Sequence, residues 1–161
     1  MKRQVIDHTA ITTAKPDVVF DRLLDTTTWP EWSGHFSGKV LEAAATPGAV
    51  GELREFRIGK KVSVERVVES TRPRRFSYVL VSGLPIHDYR ADVDIEPVAG
   101  GTRIRWHSEF SGDKPLYGPL VQKGLGRFVK KIVRSLAERC DADVAAAAST
   151  EPSTRGAVDH H

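Results

Sequence analysis

Cysteine is nearly absent from this chain, Cys140 being the only one. That excludes an intrachain disulfide and a thiolate metal cluster, and it fits a reducing compartment. Long apolar runs are missing too. The opening MKRQVIDHTAITTAK has a basic start with no hydrophobic stretch behind it, which is neither a secretory signal nor a membrane anchor, so a cytoplasmic location is expected. Neither sign of charge dominates: 24 Lys and Arg against 21 Asp and Glu leave a formal net charge of +3, too mild to imply a nucleic-acid partner. Catalytic motifs are equally scarce. The histidines are scattered, with no HExxH and no paired carboxylate spacing. Gly34-His35-Phe36-Ser37-Gly38 places its serine one position late for a nucleophile elbow, and Gly124-Leu125-Gly126 lacks the third glycine and preceding strand of a dinucleotide fingerprint. No metal and no cofactor is expected.

What remains is a 161-residue chain, 40% hydrophobic and 28% charged, the balance of a globular protein long enough to bury one sizeable core. Residues 4–12 alternate loosely and predict a strand. Pro16 and Asp17 suit the first turn of a helix, whose stripe is Val19, Phe20, Leu23 and Leu24. Three threonines and Trp29-Pro30 stop it, and a second helical turn is expected around Trp32. From Lys39 to Phe110, β-branched and aromatic residues are cut by Pro47-Gly48, Gly59-Lys60, Arg72-Pro73, Gly83 with Pro85, and Gly100-Gly101, which predicts six strands at hairpin spacing. Leu125, Phe128, Val129, Ile132, Val133 and Leu136 recur at the helical period, predicting a long amphipathic helix over about 116–143. The class is α+β, one domain over 1–144, followed by a polar tail, 145–161, expected to be disordered and ending in His160-His161.

The turn at Gly100-Gly101 fixes a register for the last two strands. It pairs Glu96 with Arg103, Asp94 with Arg105, Asp92 with His107 and Arg90 with Glu109 on a charged face. The other face pairs Ile95 with Ile104, Val93 with Trp106, Ala91 with Ser108 and Tyr89 with Phe110, and is expected to face the core.

The element order resembles the START-like polyketide cyclase/dehydrase superfamily, also called SRPBCC. Ala14-Lys15-Pro16 leading to Val19-Phe20, then Asp25 and Trp29-Pro30-Glu31-Trp32, is similar to that family's opening helix and tryptophan turn. Pro73 to Phe76 and Gly100-Gly101-Thr102-Arg103-Ile104 match its strand starts. The likeness spans residues 4–143. It implies the helix-grip fold, with two short helices after the first strand and a curved antiparallel sheet of about seven strands around the C-terminal helix. It also implies a cavity between sheet and helix for lipids, polyketides or other apolar molecules, and no single activity.

On the register above, the inward face of the penultimate strand extends from Ile95 through Tyr89 to His87, making His87 and Tyr89 the leading cavity pair and the weak catalytic candidates. The competing reading makes both ordinary core residues. Between Val62 and Glu69, alternation leaves open whether Glu65 or Arg66 points inward, and Tyr78 is equally ambiguous. The candidate ligand contacts are Trp32, Phe36, Glu65, Tyr78, His87, Tyr89, Trp106, Phe110, Leu125, Phe128 and Ile132. His35 is a candidate for the mouth, and His107 is set outward.

The outer face of the long helix carries Lys123, Arg127, Lys130, Lys131 and Arg134, either a solvated stripe or a weak contact for anionic membranes. The leading expectation is a carrier or sensor for a small hydrophobic molecule. The alternatives are a cyclase or dehydratase using His87 and Tyr89, and a non-catalytic protein- or membrane-interaction module.

Overall fold

The computed structural model describes residues 2–34 and 36–151. The chain runs β1 (Arg3–Thr12), α1 (Pro16–Leu24), a 3-10 turn (Thr26–Thr28), α2 (Trp29–Ser33), β2 (Phe36–Glu42), β3 (Leu53–Ile58), β4 (Lys61–Thr71), β5 (Arg75–Ser82), β6 (Ile86–Val98), β7 (Gly101–Gly112) and α3 (Tyr117–Ser149). The helical breaks fall where the backbone chemistry puts them. Pro16 starts α1, and the Asp25 carboxylate ends it by accepting from the Thr27 amide at 3.0 Å and its hydroxyl at 2.6 Å, which turns the threonines into a single 3-10 turn.

The seven strands form one antiparallel sheet in the order β1-β7-β6-β5-β4-β3-β2. The β6–β7 register matches the sequence reading from Glu96 opposite Arg103 back to Arg90 opposite Glu109. It then slips. His87 faces Ser111, and Asp88 takes a positive φ of 52°, so a bulge replaces the expected Tyr89–Phe110 rung. The charged face also sorts its partners differently from the pairwise expectation. Glu96 does bond Arg103, but Asp94 turns to Arg75 on β5, Arg105 to Asp7 on β1, and Arg90 to Glu69 and Asp92. Long arginines reach diagonally and sideways, and each carboxylate has strands on both sides to choose from.

The inner face is the core: Ile6, Val67, Phe76, Val93, Ile95, Ile104, Trp106 and Phe110 meet Val129, Ile132, Val133 and Leu136 of α3. The helix starts where β7 ends. A Cβ on Gly112 would lie 2.5 Å from the Gly118 amide nitrogen, so only glycine lets strand and helix approach this closely. From there α3 packs along β1 and β7 and over α1 and α2, whereas β3, β4 and β5 hardly touch it. The sheet is curved, and its far half stands away from the helix. The helix continues to Ser149, beyond the end expected near 143, because 145–148 are alanines and alanine has the highest helix propensity. The first residues of the expected disordered tail are therefore helical; 152–161, with the terminal histidine pair, lie outside the described residues.

Candidate functional site

The gap between the far half of the sheet and α3 is a cavity of about 420 Å³. Phe56 and Ile58 of β3, Glu65 of β4, Tyr78 and Leu80 of β5, Tyr89 of β6 and Trp106 of β7 form its sheet wall. Trp29 closes one end, and Val121, Gly124, Leu125, Phe128, Val129 and Ile132 of α3 form the opposite wall. At the other end, Lys61, Gly83, Leu84 and Pro85 face the first turns of α3. Gly83, at φ +116°, lets the β5–β6 turn sit directly on β4; a Cβ there would meet the Val62 carbonyl oxygen at 2.2 Å.

Seven of the residues anticipated from sequence line this space: Glu65, Tyr78, Tyr89, Trp106, Leu125, Phe128 and Ile132. Four do not. The bulge at Asp88 turns His87 outward, 56% exposed, where its imidazole meets the Asp113 carboxylate. Phe110 is sealed in the core, 6.1 Å from the Tyr89 ring centroid. Trp32 is buried against Trp29 and leaves the wall to that neighbour. His35 and the side chain of Phe36 lie outside the described residues. The expected pairing of His87 with Tyr89 across one cavity is thus not formed.

The β4 ambiguity resolves in favour of Glu65. Register slips between Val64 and Glu65 and between Val67 and Glu69 keep Glu65 on the inner side with Val67. Arg66 faces out and donates to the Gly51 carbonyl at 2.9 Å. On β5, Phe76, Tyr78 and Leu80 face in, while Ser77 bonds Asp92 on the outer face.

The polar groups of the wall have different fates. Trp106 Nε1 donates to the Tyr78 hydroxyl at 3.1 Å, and the Tyr89 hydroxyl shares a 3.1 Å hydrogen bond with Ser108. Burial holds Tyr78 well above the usual phenol range and pushes Tyr89 up to about 12, so both stay neutral. Glu65, by contrast, has no bonded donor or cation for its carboxyl among the described residues. Burial raises its pKa to about 8 against the pull of Arg54.

Arg54 was not anticipated. It lies opposite Glu65 in the β3–β4 register and is 2% exposed. Its guanidinium donates to the Leu23 carbonyl at 2.8 Å and sits 5.2–5.6 Å from the ring centroids of Phe76, Phe56 and Trp29. Glu52, also buried, comes to 3.7 Å, beyond a hydrogen bond. Desolvation lowers the guanidinium pKa while Glu65 and Glu52 raise it. A signal existed: Arg54, Phe56 and Ile58 share one face at period two, and the two apolar members mark that face as inward.

Residues 3–145 match the family described as polyketide cyclase / dehydrase and lipid transport. The chain belongs to that family. Solved structures with the polyketide cyclase/dehydrase fold agree. The Zhui aromatase/cyclase from Streptomyces sp. R1128 is similar at a TM-score of 0.75 and 11% identity, covering 91% of this chain and 98% of its own. A START superfamily protein from Mycobacterium smegmatis reaches 0.73 at 14% identity, covering 86% and 98%. A Thermobifida fusca protein reaches 0.71 at 22%, covering 86% and 93%. No curated protein matches. At these identities the likeness concerns the fold, and the polyketide cyclase/dehydrase family as a whole spans both catalysis and ligand transport.

Proposed function

We propose that this protein binds a small hydrophobic molecule in the cavity between β3–β7 and α3, as a carrier or sensor. The observation that carries the reading is the cavity itself: about 420 Å³, within the usual range of ligand sites, walled mainly by aromatic and aliphatic side chains with the Glu65 carboxyl set among them. Trp29 and Trp106 in the wall provide the readout. Delipidated protein titrated with N-phenyl-1-naphthylamine should show quenched tryptophan emission and a rise in probe fluorescence. Leu125→Trp, which fills the mouth from a half-buried helix position, should abolish both while leaving the melting temperature close to the parent's. A probe that binds parent and filled variant alike would end the proposal.

A cyclase or dehydratase would have to draw its proton-transfer groups from Glu65, Tyr78 and Tyr89, since His87 is outside the cavity. At neutral pH the two raised phenols act as hydrogen-bond donors and the Glu65 carboxyl is the group able to give up a proton, with Lys61 at the far end of the same wall.

A second reading concerns exchange at a membrane. Leu116 and Leu120, 86% and 69% exposed, project beside the mouth residues Val121 and Gly124. Along α3 they are followed by exposed Lys123, Arg127, Lys130, Lys131 and Arg134, none with a carboxylate within salt-bridge distance among the described residues. Apolar tips beside unpaired cations suit an anionic bilayer surface. Protein should co-sediment with phosphatidylglycerol vesicles and not with phosphatidylcholine ones. Doubly substituted Leu116→Ser/Leu120→Ser and Lys123→Glu/Arg127→Glu proteins should each lose that binding, and retention by both would refute it.

A further inference from the structure

Deep in the cavity the two phenols are engaged, whereas the carboxyl of Glu65 is hydrogen-bonded to no described residue. The indole of Trp106 donates to Tyr78, and Tyr89 is bonded to Ser108. Arg54 stands opposite Glu65 in the strand register, but its guanidinium is committed to the Leu23 carbonyl and enclosed by three aromatic rings. It supplies a positive field without contacting the cavity. A lone carboxyl held at the inner face of an apolar chamber costs desolvation energy, and among the described residues none offsets that cost with a hydrogen bond.

Resting on the reading that the cavity binds an apolar molecule, we propose that Glu65 is its polar anchor, and that the bound molecule carries a neutral carbonyl acceptor, a ketone or quinone type of oxygen, which receives the carboxyl O–H. The groups around Glu65 favour that choice over charged ligands. A ligand ammonium would be repelled by the Arg54 guanidinium across β3, and the carboxyl at neutral pH keeps its proton, having been raised to about 8 by burial. A ligand carboxylate would be buried among aromatic walls out of Arg54's reach. Charged or titratable side chains approach from β3 (Arg54), the segment before it (Glu52), β5 (Tyr78), β6 (Tyr89) and the mouth end of β4 (Lys61); α2 and α3 present only Trp29, aliphatic residues, phenylalanine and glycine. The phenols stay neutral through the range in which Glu65 titrates, so a change of affinity between pH 6 and 9.5 reports on Glu65.

The test compares 2-acetylnaphthalene with 2-isopropylnaphthalene, nearly the same shape with and without the acceptor, by tryptophan quenching and calorimetry on the full chain. The expected result is that ketone affinity falls about tenfold from pH 6 to pH 9.5 while the hydrocarbon's does not change. Glu65→Gln, which keeps an N–H donor, should bind the ketone at all pH values without the fall. Glu65→Leu should weaken the ketone about tenfold and leave the hydrocarbon equal or tighter. The 1-(2-naphthyl)ethylammonium ion should bind worse than either. The proposal is overturned if Glu65→Leu affects ketone and hydrocarbon equally, if the pH dependence survives in Glu65→Gln, or if the ammonium ion binds best. Failure of both neutral ligands to bind the parent protein would remove the cavity reading together with the anchor, whereas equal, pH-independent binding of both would remove the anchor alone.

Discussion

Two charged residues, Arg54 and Glu65, are placed where the hydrophobic effect alone would put leucine. Arg54 is tolerated because a planar, weakly hydrated cation stacks among Trp29, Phe56 and Phe76 and donates to a backbone carbonyl. Glu65 is tolerated by remaining protonated. Its pKa in the folded chain, about 8, lies above that of the unfolded chain. Below the unfolded value both states are protonated and the residue costs no ionisation energy. As pH rises toward 8 the unfolded chain releases its proton first, so stability drains away, and the loss levels off once the folded carboxyl has also ionised. Glu65→Gln should therefore be more stable than the parent by an amount that grows between pH 5 and pH 8 and reaches about 2 kcal/mol, a value discounted from the full shift because the residue is only half-buried, its side chain bordering the cavity. Urea melts at pH 5, 7 and 9 measure it; a constant difference would show that Glu65 is not titrating abnormally.

At the scale of elements, irregularities decide the site more than regular structure does. The bulge in β6 keeps Tyr89 in the wall and turns His87 out, and the two slips in β4 orient Glu65. The far end of α3 is tied down separately. Asp141 accepts from the Thr12 hydroxyl at 2.7 Å, the Thr13 amide at 2.7 Å and the Thr13 hydroxyl at 3.0 Å, joining the last half of the helix to the end of β1. The Thr12 hydroxyl, ahead of the other contacts, holds the Asp141 carboxyl below the usual aspartate range. This stabilisation is present above the unfolded pKa and disappears as pH falls through the folded one. Asp141→Ala should destabilise the fold by about 1–3 kcal/mol near neutral pH and by less under acid conditions. Denaturant unfolding at pH 7 and at pH 3 checks both, and an equal loss at the two values would contradict the assignment.

For the whole molecule, the decisive feature is that one helix cannot lie against all of a curved seven-stranded sheet. Contact with β1 and β7 is close, and the cavity is what the remaining strands leave open. An apolar chamber of that size is a reserve of stability available to a ligand. Saturation at a hundred times the dissociation constant adds about 2.7 kcal/mol to the folded state. A bound ketone should accordingly raise the melting temperature of the parent, and the Leu125→Trp protein should gain nothing from the same addition. Differential scanning fluorimetry with and without 2-acetylnaphthalene shows whether it does.

Much of this architecture was legible in the residues. Proline and glycine stops, period-two runs and the 3.6-residue stripe of α3 are local, so strand number, helix order and the charged and apolar faces of β6 and β7 follow from them. The inward set on α3, Leu125, Phe128 and Ile132, could be read for the same reason. His87 could not, because a bulge shifts the parity of every residue beyond it and is set by pairing with a neighbouring strand. The choice between Glu65 and Arg66 and the burial of Arg54 were likewise left to the tertiary structure. The local pattern specifies which residues share a face; only the folded sheet, through its slips and its curvature away from the helix, decided which face lines the cavity and what an unpaired charge would find there.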